Sequence, residues 1–250
     1  APQAIRRGPE RFAATMPRMV RFVSEFGAQS VPDSAEFMRP DRWPALDWHH
    51  LAEHHGLQID PFERHVPPGS FRTFDAWRNA TQQYQAELLR HQIETLRRLK
   101  YRPTGGFAVL ALADAQPAIS WSVLDHERVP KAAYAALRDA CRPVIAVADH
   151  LPDELLADEA LDLEVHVISD RRTDLTDVQV EATLSWEGGE QRWRFAGDVG
   201  ADSCVRVGAL RLTVPDRPGP VTLSLALSHP DAAPDGGPVV RVDTSRIVAR

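Results

Sequence analysis

The chain has 250 residues, 43% of them hydrophobic, with 35 acidic against 29 basic side chains and a formal net charge of -6 at pH 7. That is enough apolar material for one large domain or two ordinary ones. The acidic balance, without a long basic block, excludes nucleic acid and an anionic membrane surface as natural partners. No apolar run approaches a bilayer span, and the opening residues APQAIRRGPE lack the apolar core of a secretory leader.

In chain order, the first predicted element is a strand over residues 19–24, in which Phe22 and Val23 lead through Ser24 to a single acid, Glu25, and then Gly27. The next stretch, DWHHLAEHHG, sets His50 and His54 at i, i+4. That spacing holds zinc on a helix, but a third ligand and the helical glutamate of a metalloprotease are missing, so no metal site is expected. A long helix is predicted from Thr73 to Lys100, with Trp77, Tyr84, Leu88, Leu89, Ile93, Leu96 and Leu99 on its apolar face. Glu87, Arg90, Glu94, Arg97 and Arg98 fill the opposite face, and Pro103 with Gly105-Gly106 forbids continuation. FAVLALADA, residues 107–115, is a continuous apolar run and reads as a strand over 107–113 buried on both faces, the mark of a parallel sheet or barrel. It bears one acid, Asp114, and a second helix follows, PKAAYAALRDAC, with Pro130 near its first turn. The order is strand, loop, helix, strand, loop, helix, with a carboxylate at the C-terminal end of each strand, where a β/α barrel does its chemistry.

Near residue 143 the pattern changes. Seven alternating segments follow, at 142–149, 160–170, 175–186, 190–199, 204–214, 219–228 and 239–249, joined by turns such as Gly188-Gly189 and Asp235-Gly236-Gly237. They predict an immunoglobulin-like β-sandwich over 144–250, with Trp186 and Trp193 in its core. Cys141 and Cys204 lack metal-ligand spacing and read as buried free thiols, which suits a reducing, cytoplasmic setting.

RFVSEFGAQSVP resembles the nucleophile strand of family two glycoside hydrolases, most closely the β-mannosidase branch, whose seventh barrel strand ends Ser-Glu-(Phe/Tyr)-Gly-x-Gln-Ser-x-Pro. GGFAVLALADAQPAISWSVLD is similar to that family's eighth strand and following loop, sharing Gly106, Leu112, Asp114, Ala118, Ser120, Trp121, Ser122 and Asp125. The resemblance implies that residues 1–143 are the C-terminal strands and helices of a (β/α)8 TIM barrel, an α/β unit preceding the all-β sandwich. It implies that the other barrel strands and two further sandwiches precede Ala1.

It further implies a retaining β-glycosidase with Glu25 as nucleophile, β-linked glycosides or oligosaccharides as substrate, and no cofactor. Such an enzyme needs two carboxyl groups ~5 to 5.5 Å apart, one ionised for attack and one protonated to release the leaving oxygen. Gln29 and Ser30 are expected to support the nucleophile. Asp114 either hydrogen bonds sugar hydroxyls or anchors its loop. Trp43, Trp48 and Trp121 either floor sugar subsites or pack.

Leu110, Ala111 and Ala113 stand where the family's pattern has tryptophan, glutamine and asparagine, and Gln116 where it has a further tryptophan. These departures allow a different glycone, a more open cleft or a weakened catalyst. The chain has no Asn-Glu pair, the family's acid/base signature, so that group is expected on the missing barrel segment, the chain's partner. The rival reading is a non-catalytic protein whose sandwich binds carbohydrate or another protein, with the barrel remnant as scaffold.

Overall fold

The computed structural model describes residues 21–152, 154–233 and 236–249. The first ten residues, positions 19 and 20 of the first predicted strand, and Asp235 of the predicted turn lie outside them. Among the described residues no helix is long and apolar enough to cross a membrane.

Two short strands, β1 (Phe22–Val23) and β2 (Gly106–Phe107), pair in parallel, with Phe22 opposite Gly106 and Val23 opposite Phe107. Between them lie α1 (Trp48–His55), α2 (Ile59–His65) and α3 (Phe74–Arg98), and after them comes α4 (Ala132–Ala140). The described residues form no closed barrel. The predicted strand 107–113 is a correction: it is regular for Gly106–Phe107, then leaves the sheet, with Ala111 at a φ of 59° and Leu112 63% exposed. Among the described residues β2 has β1 as its one regular neighbour, and past Phe107 the run is held by isolated bonds, such as that from the Ala108 amide to the Val23 carbonyl, rather than by a ladder on both sides.

Thr73 caps α3, its hydroxyl accepting from the Ala76 amide. The buried stripe runs through Trp77, Thr81, Gln82, Gln85, Leu89, Ile93 and Leu96, while Tyr84, Leu88 and Leu99 lie half-buried on its flank. Two glutamines thus occupy core positions, because the chain packed against them is irregular loop whose peptide groups need partners. The Gln85 amide donates to the carbonyls of Ala28, Trp121 and Ser122 at 2.9, 3.0 and 3.2 Å, and its oxygen accepts from the Ser30 hydroxyl at 2.7 Å. Gln82 donates to the Val31 carbonyl and accepts from the Ala132 amide, both at 3.0 Å.

The C-terminal strands form two sheets around one core. One is ordered β3 (Val144–Ala148), β5 (Ala160–Ser169), β8 (Cys204–Thr213). The other runs β4 (Glu154–Leu156), β10 (Val239–Val248), β9 (Gly219–Ser228), β6 (Leu175–Trp186), β7 (Gly189–Val199). The alternation is the cause: Val178, Val180, Ala182 and Leu184 of β6 and Val221, Leu223, Leu225 and Leu227 of β9 are buried while their neighbours are not. Each fully buried aliphatic side chain of this kind contributes about 1.5–3 kcal/mol. The seven predicted segments all become strands; β4, parallel to β10, is an eighth, too short to show a period. Trp186 and Trp193 lie half-buried at the margin of the core rather than within it. Cys141 and Cys204 are free thiols, the first exposed and the second intermediate, because Cys141 sits just past the end of α4 at the surface.

Of the charged face predicted for α3, Glu87 is exposed but the other four residues do not point to water. Arg90 pairs with Asp243 at 2.7 Å, Glu94 with Arg241 at 2.9 Å, Arg97 with Asp170 at 2.8 Å and Arg98 with Asp149 at 2.7 Å, joining helix to strands. Burial alone would push the Asp243 carboxyl up, but Arg241, Arg90 and His150 hold it below the usual carboxylate range. Gln85→Leu would leave those carbonyls and the Ser30 hydroxyl unsatisfied and is expected to cost about 3 kcal/mol in urea unfolding. Gln83→Leu, on the exposed face, should stay within about 0.5 kcal/mol. A Gln85→Leu loss below about 1 kcal/mol would show that the loops find other partners.

Candidate active site

Glu25 leaves the C-terminal end of β1. The parallel pairing continues past the regular strands, with the Ala108 amide donating to the Val23 carbonyl at 2.8 Å and the Leu110 amide to the Phe26 carbonyl at 3.3 Å. Glu25 lies between these bonds, exposed, with no hydrogen bond or ion pair to another described residue. Gly27 then turns the chain at a φ of 141°, a conformation other residues rarely adopt. A Cβ there would sit 3.5 Å from Leu89 and 3.8 Å from Trp121, so the turn is seated on both side chains.

Beyond Gly27 the side chains point into the fold. Gln29 is 5% exposed and bridges the link between α1 and α2, donating to the Gly56 carbonyl at 2.7 Å and accepting from the Gln58 amide at 2.9 Å. Ser30 gives its hydroxyl to Gln85, and its amide bonds the Ser120 carbonyl at 3.0 Å. The expected supports of Glu25 therefore spend these hydrogen bonds on the loops and on α3.

Asp114 is engaged at both carboxylate oxygens, by the hydroxyls of Ser120 and Ser122 at 2.7 Å each, and its carbonyl accepts from Arg128 at 2.6 Å. Of its two expected roles, these contacts are those of a loop anchor. Asp125 ties the same loop, accepting from the amides of Ser34, Glu127 and Val129. Burial would raise its pKa, but these donors hold it below the usual range.

Trp43 stacks on Trp77 with ring centroids 5.2 Å apart and gives its indole proton to the Phe71 carbonyl; Trp48 meets Trp77 edge-on at 5.7 Å. Both pack the loop between β1 and α3. Trp121 is half-buried beside Gly27 and shares a cavity of about 310 Å³ with Gln29. Of the predicted site residues, the structure thus brings Gln29 and Trp121 together next to the Glu25 turn, sets Asp114 beneath the loop, and places Trp43 elsewhere. His50 and His54 lie on the exposed side of α1 with rings 4.6 Å apart. Among the described residues no three His, Cys, Asp or Glu side chains group as metal ligands.

No protein-family model matches the chain, and no curated protein matches it by sequence. Solved structures do match by shape. A β-D-mannosidase from Dictyoglomus thermophilum is similar at a TM-score of 0.67 and 18% identity over 90% of this chain. The exo-chitosanase CsxA of Amycolatopsis orientalis is similar at 0.58 and 16% over 74%. Another CsxA structure, of the exo-β-D-glucosaminidase with inhibitors, reaches 0.67 and 16% over 88%. The likeness is one of fold: the chain is built like the C-terminal region of these glycoside hydrolases. It spans 27% of the mannosidase chain and 21% and 27% of the two CsxA chains.

Sequence reading passed over Lys131, which precedes α4 and is 1% exposed. Its ammonium lies 3.5 Å from the carbonyls of Ser30 and Ser120 and 3.8 Å from Asp114, beneath the bridge that joins the two strand-end loops. Burial pushes its pKa from 10.5 down to about 8, against the opposing pull of Asp114, Asp125 and Asp33. The only hint in the sequence was a lysine directly after Pro130 at a helix start, which composition does not separate from a surface lysine.

A depressed lysine pKa means that the native state holds fewer protons than the unfolded state between the two values. Stability should therefore rise with pH from about 8 toward 10.5, by up to about 1.4 kcal/mol per unit. Lys131→Met should abolish this rise, measured as the wild-type minus variant difference in urea unfolding across that window. Parallel curves would show that Lys131 titrates normally.

Proposed function

We propose that the chain is the C-terminal part of a retaining β-glycosidase, β-mannosidase-like in its strand-end motif, in which Glu25 is the nucleophile. The carrying observation is the position of Glu25: exposed and unpaired among the described residues, at the C-terminal end of a parallel strand pair, in a fold similar to a β-D-mannosidase over 90% of its length. In this reading the Glu25 carboxylate attacks the anomeric carbon of a β-linked glycoside, and a second carboxylic acid protonates the departing oxygen. Water, deprotonated by that same second group, then hydrolyses the glycosyl ester and restores Glu25.

The second group is not Asp114, whose oxygens are committed to Ser120 and Ser122. It belongs to the complementary barrel strands, which would pair along the open edges of β1 and β2 and cover Phe22 and Leu112, 60% and 63% exposed. Trp121 walls the substrate site, with Gln29 and Asp114 holding the loops that shape it. Residues 144–250 are the accessory sandwich. No step requires a cofactor.

In an assembly that includes the complementary strands, a 2-deoxy-2-fluoroglycoside is expected to esterify Glu25, read by peptide mass spectrometry. Glu25→Gln should lower kcat by roughly 10³ or more with stability unchanged within about 0.5 kcal/mol. Ester formation at another carboxylate overturns the assignment. The 250-residue chain alone should release no more than traces of nitrophenol from aryl β-glycosides. Robust turnover dependent on Glu25 would place the proton donor within this chain.

A further inference from the structure

In β5 the alternation sends Leu163, Val165 and Val167 into the sandwich core and Glu164 and His166 to the opposite face. His166 stands where the pairing with β8 passes from Val165–Gly208 to His166–Arg206 and leaves Val207 over, so the ladder is broken beside its ring. That face is not open to water, because the end of α3 crosses it. The Arg98 side chain is 8% exposed and held to Asp149 at 2.7 Å, and the His166 side chain is 15% exposed. A histidine from the polar side of a strand is thus closed in at the joint between helix and sandwich.

The joint has no room for another charge. Nδ1 of His166 is buried without a hydrogen-bond partner among the described residues, and so is Nε of Arg98. The charged groups that bear on the ring are Arg98 from α3, Glu164 from its own strand, Asp149 from the end of β3 and Arg206 from β8. These cations and anions are already matched: Asp149 takes Arg98 at 2.7 Å and Glu164 takes Arg206 at 2.8 Å, while the Glu164 carboxylate stays 3.8 Å from Nε2 of the ring. A proton on His166 would be a third positive charge set against two negative ones, where little water reaches to screen it. Burial first, then Arg98, hold its pKa down from 6.5 to about 4, against the pull of Glu164 and Asp149.

We propose that His166 is an acid-sensitive latch: neutral, it lets the end of α3 close on the sandwich, and protonated, it drives Arg98 and the last turn of α3 off the strands. When the joint opens, water reaches the ring and it titrates as an ordinary histidine, so opening takes up a proton that the closed joint refuses. The closed joint is therefore fully favoured above pH 6.5 and loses ground as pH falls from there toward about 4, by up to about tenfold in the opening constant per unit. The latch is independent of the role of Glu25.

The test is hydrogen exchange, read by mass spectrometry on the 250-residue chain at about pH 7 and about pH 4.5 and corrected for the intrinsic rate, with the His166 ring followed by NMR. The opening constant for the amides of residues 93–98 should rise on the order of 50-fold on acidification, and that for β6 by less. His166→Gln, neutral at both pH values, should lose at least tenfold of that rise, and His49→Gln, whose side chain is 90% exposed, should keep it. In the wild-type chain the His166 ring, assigned through its own backbone, should titrate with a midpoint below about 5. A midpoint of about 6 or above overturns the proposal without recourse to any variant. An equal rise in wild type and His166→Gln overturns it, and so does a rise in β6 as large as that in α3, which would place the loss in the whole fold.

Discussion

Buried peptide groups must be paired, and here much of the buried backbone is loop rather than helix or sheet. The segments 28–31 and 120–122 close over α3 and meet in a single bridge, the Ser30 amide on the Ser120 carbonyl, so a strand ladder does not satisfy the rest of their peptide groups. Gln85 resolves this by acting as a surrogate backbone, with three carbonyls and one hydroxyl converging on a single amide. Gln82 does the same for Val31 and Ala132. The turn that aims Glu25, the Asp114 loop and the start of α4 all take their positions from these two side chains.

The second organising contact is ionic. The C-terminal half of α3 meets the strands through Arg90, Glu94, Arg97 and Arg98, paired with Asp243, Arg241, Asp170 and Asp149. Ion pairs at a partly buried junction add little net stability, because desolvation offsets most of the attraction, but breaking one by removing a single partner is costly. What such a junction specifies is orientation. Each guanidinium donates along fixed N–H directions to its carboxylate, so the helix is fixed relative to the sheets more sharply than apolar contact alone would fix it.

The strands were the most legible part of the sequence because an alternating pattern and a half-buried sheet are the same fact stated twice: Val178, Val180, Ala182 and Leu184 read as a face and form one. The bounds of α3 were equally plain from Thr73 and the Pro103 break. Its burial was not. Counting apolar residues placed Tyr84 and Leu88 on the buried stripe and the charged residues in water, whereas Gln82 and Gln85 are in the core and the arginines face the sandwich. Periodicity reports the polarity of a face, not the polarity of what lies across from it.

The same limit governs the site. The spacing from Glu25 to Gln29 was visible, but the inward turn at Gly27, which separates their environments, is a matter of one dihedral angle. The run from Phe107 to Ala113 read as a buried strand because its composition suits a sheet with neighbours on both sides. Asp114, between two serines and above a buried lysine, could not be told from a ligand-binding acid until its partners were located.

Helix α3 is one uninterrupted rod of 25 residues, roughly 37 Å long at 1.5 Å per residue. Its N-terminal half grips the strand-end loops and its C-terminal half grips the sandwich, with no proline or glycine between to act as a joint. A rod held at both ends transmits displacement. Tilting the sandwich by a few degrees would swing Gln85 and Leu89 beneath the Gly27 turn, so the strands at the far end serve as the mechanical bearing on which the aim of Glu25 is set.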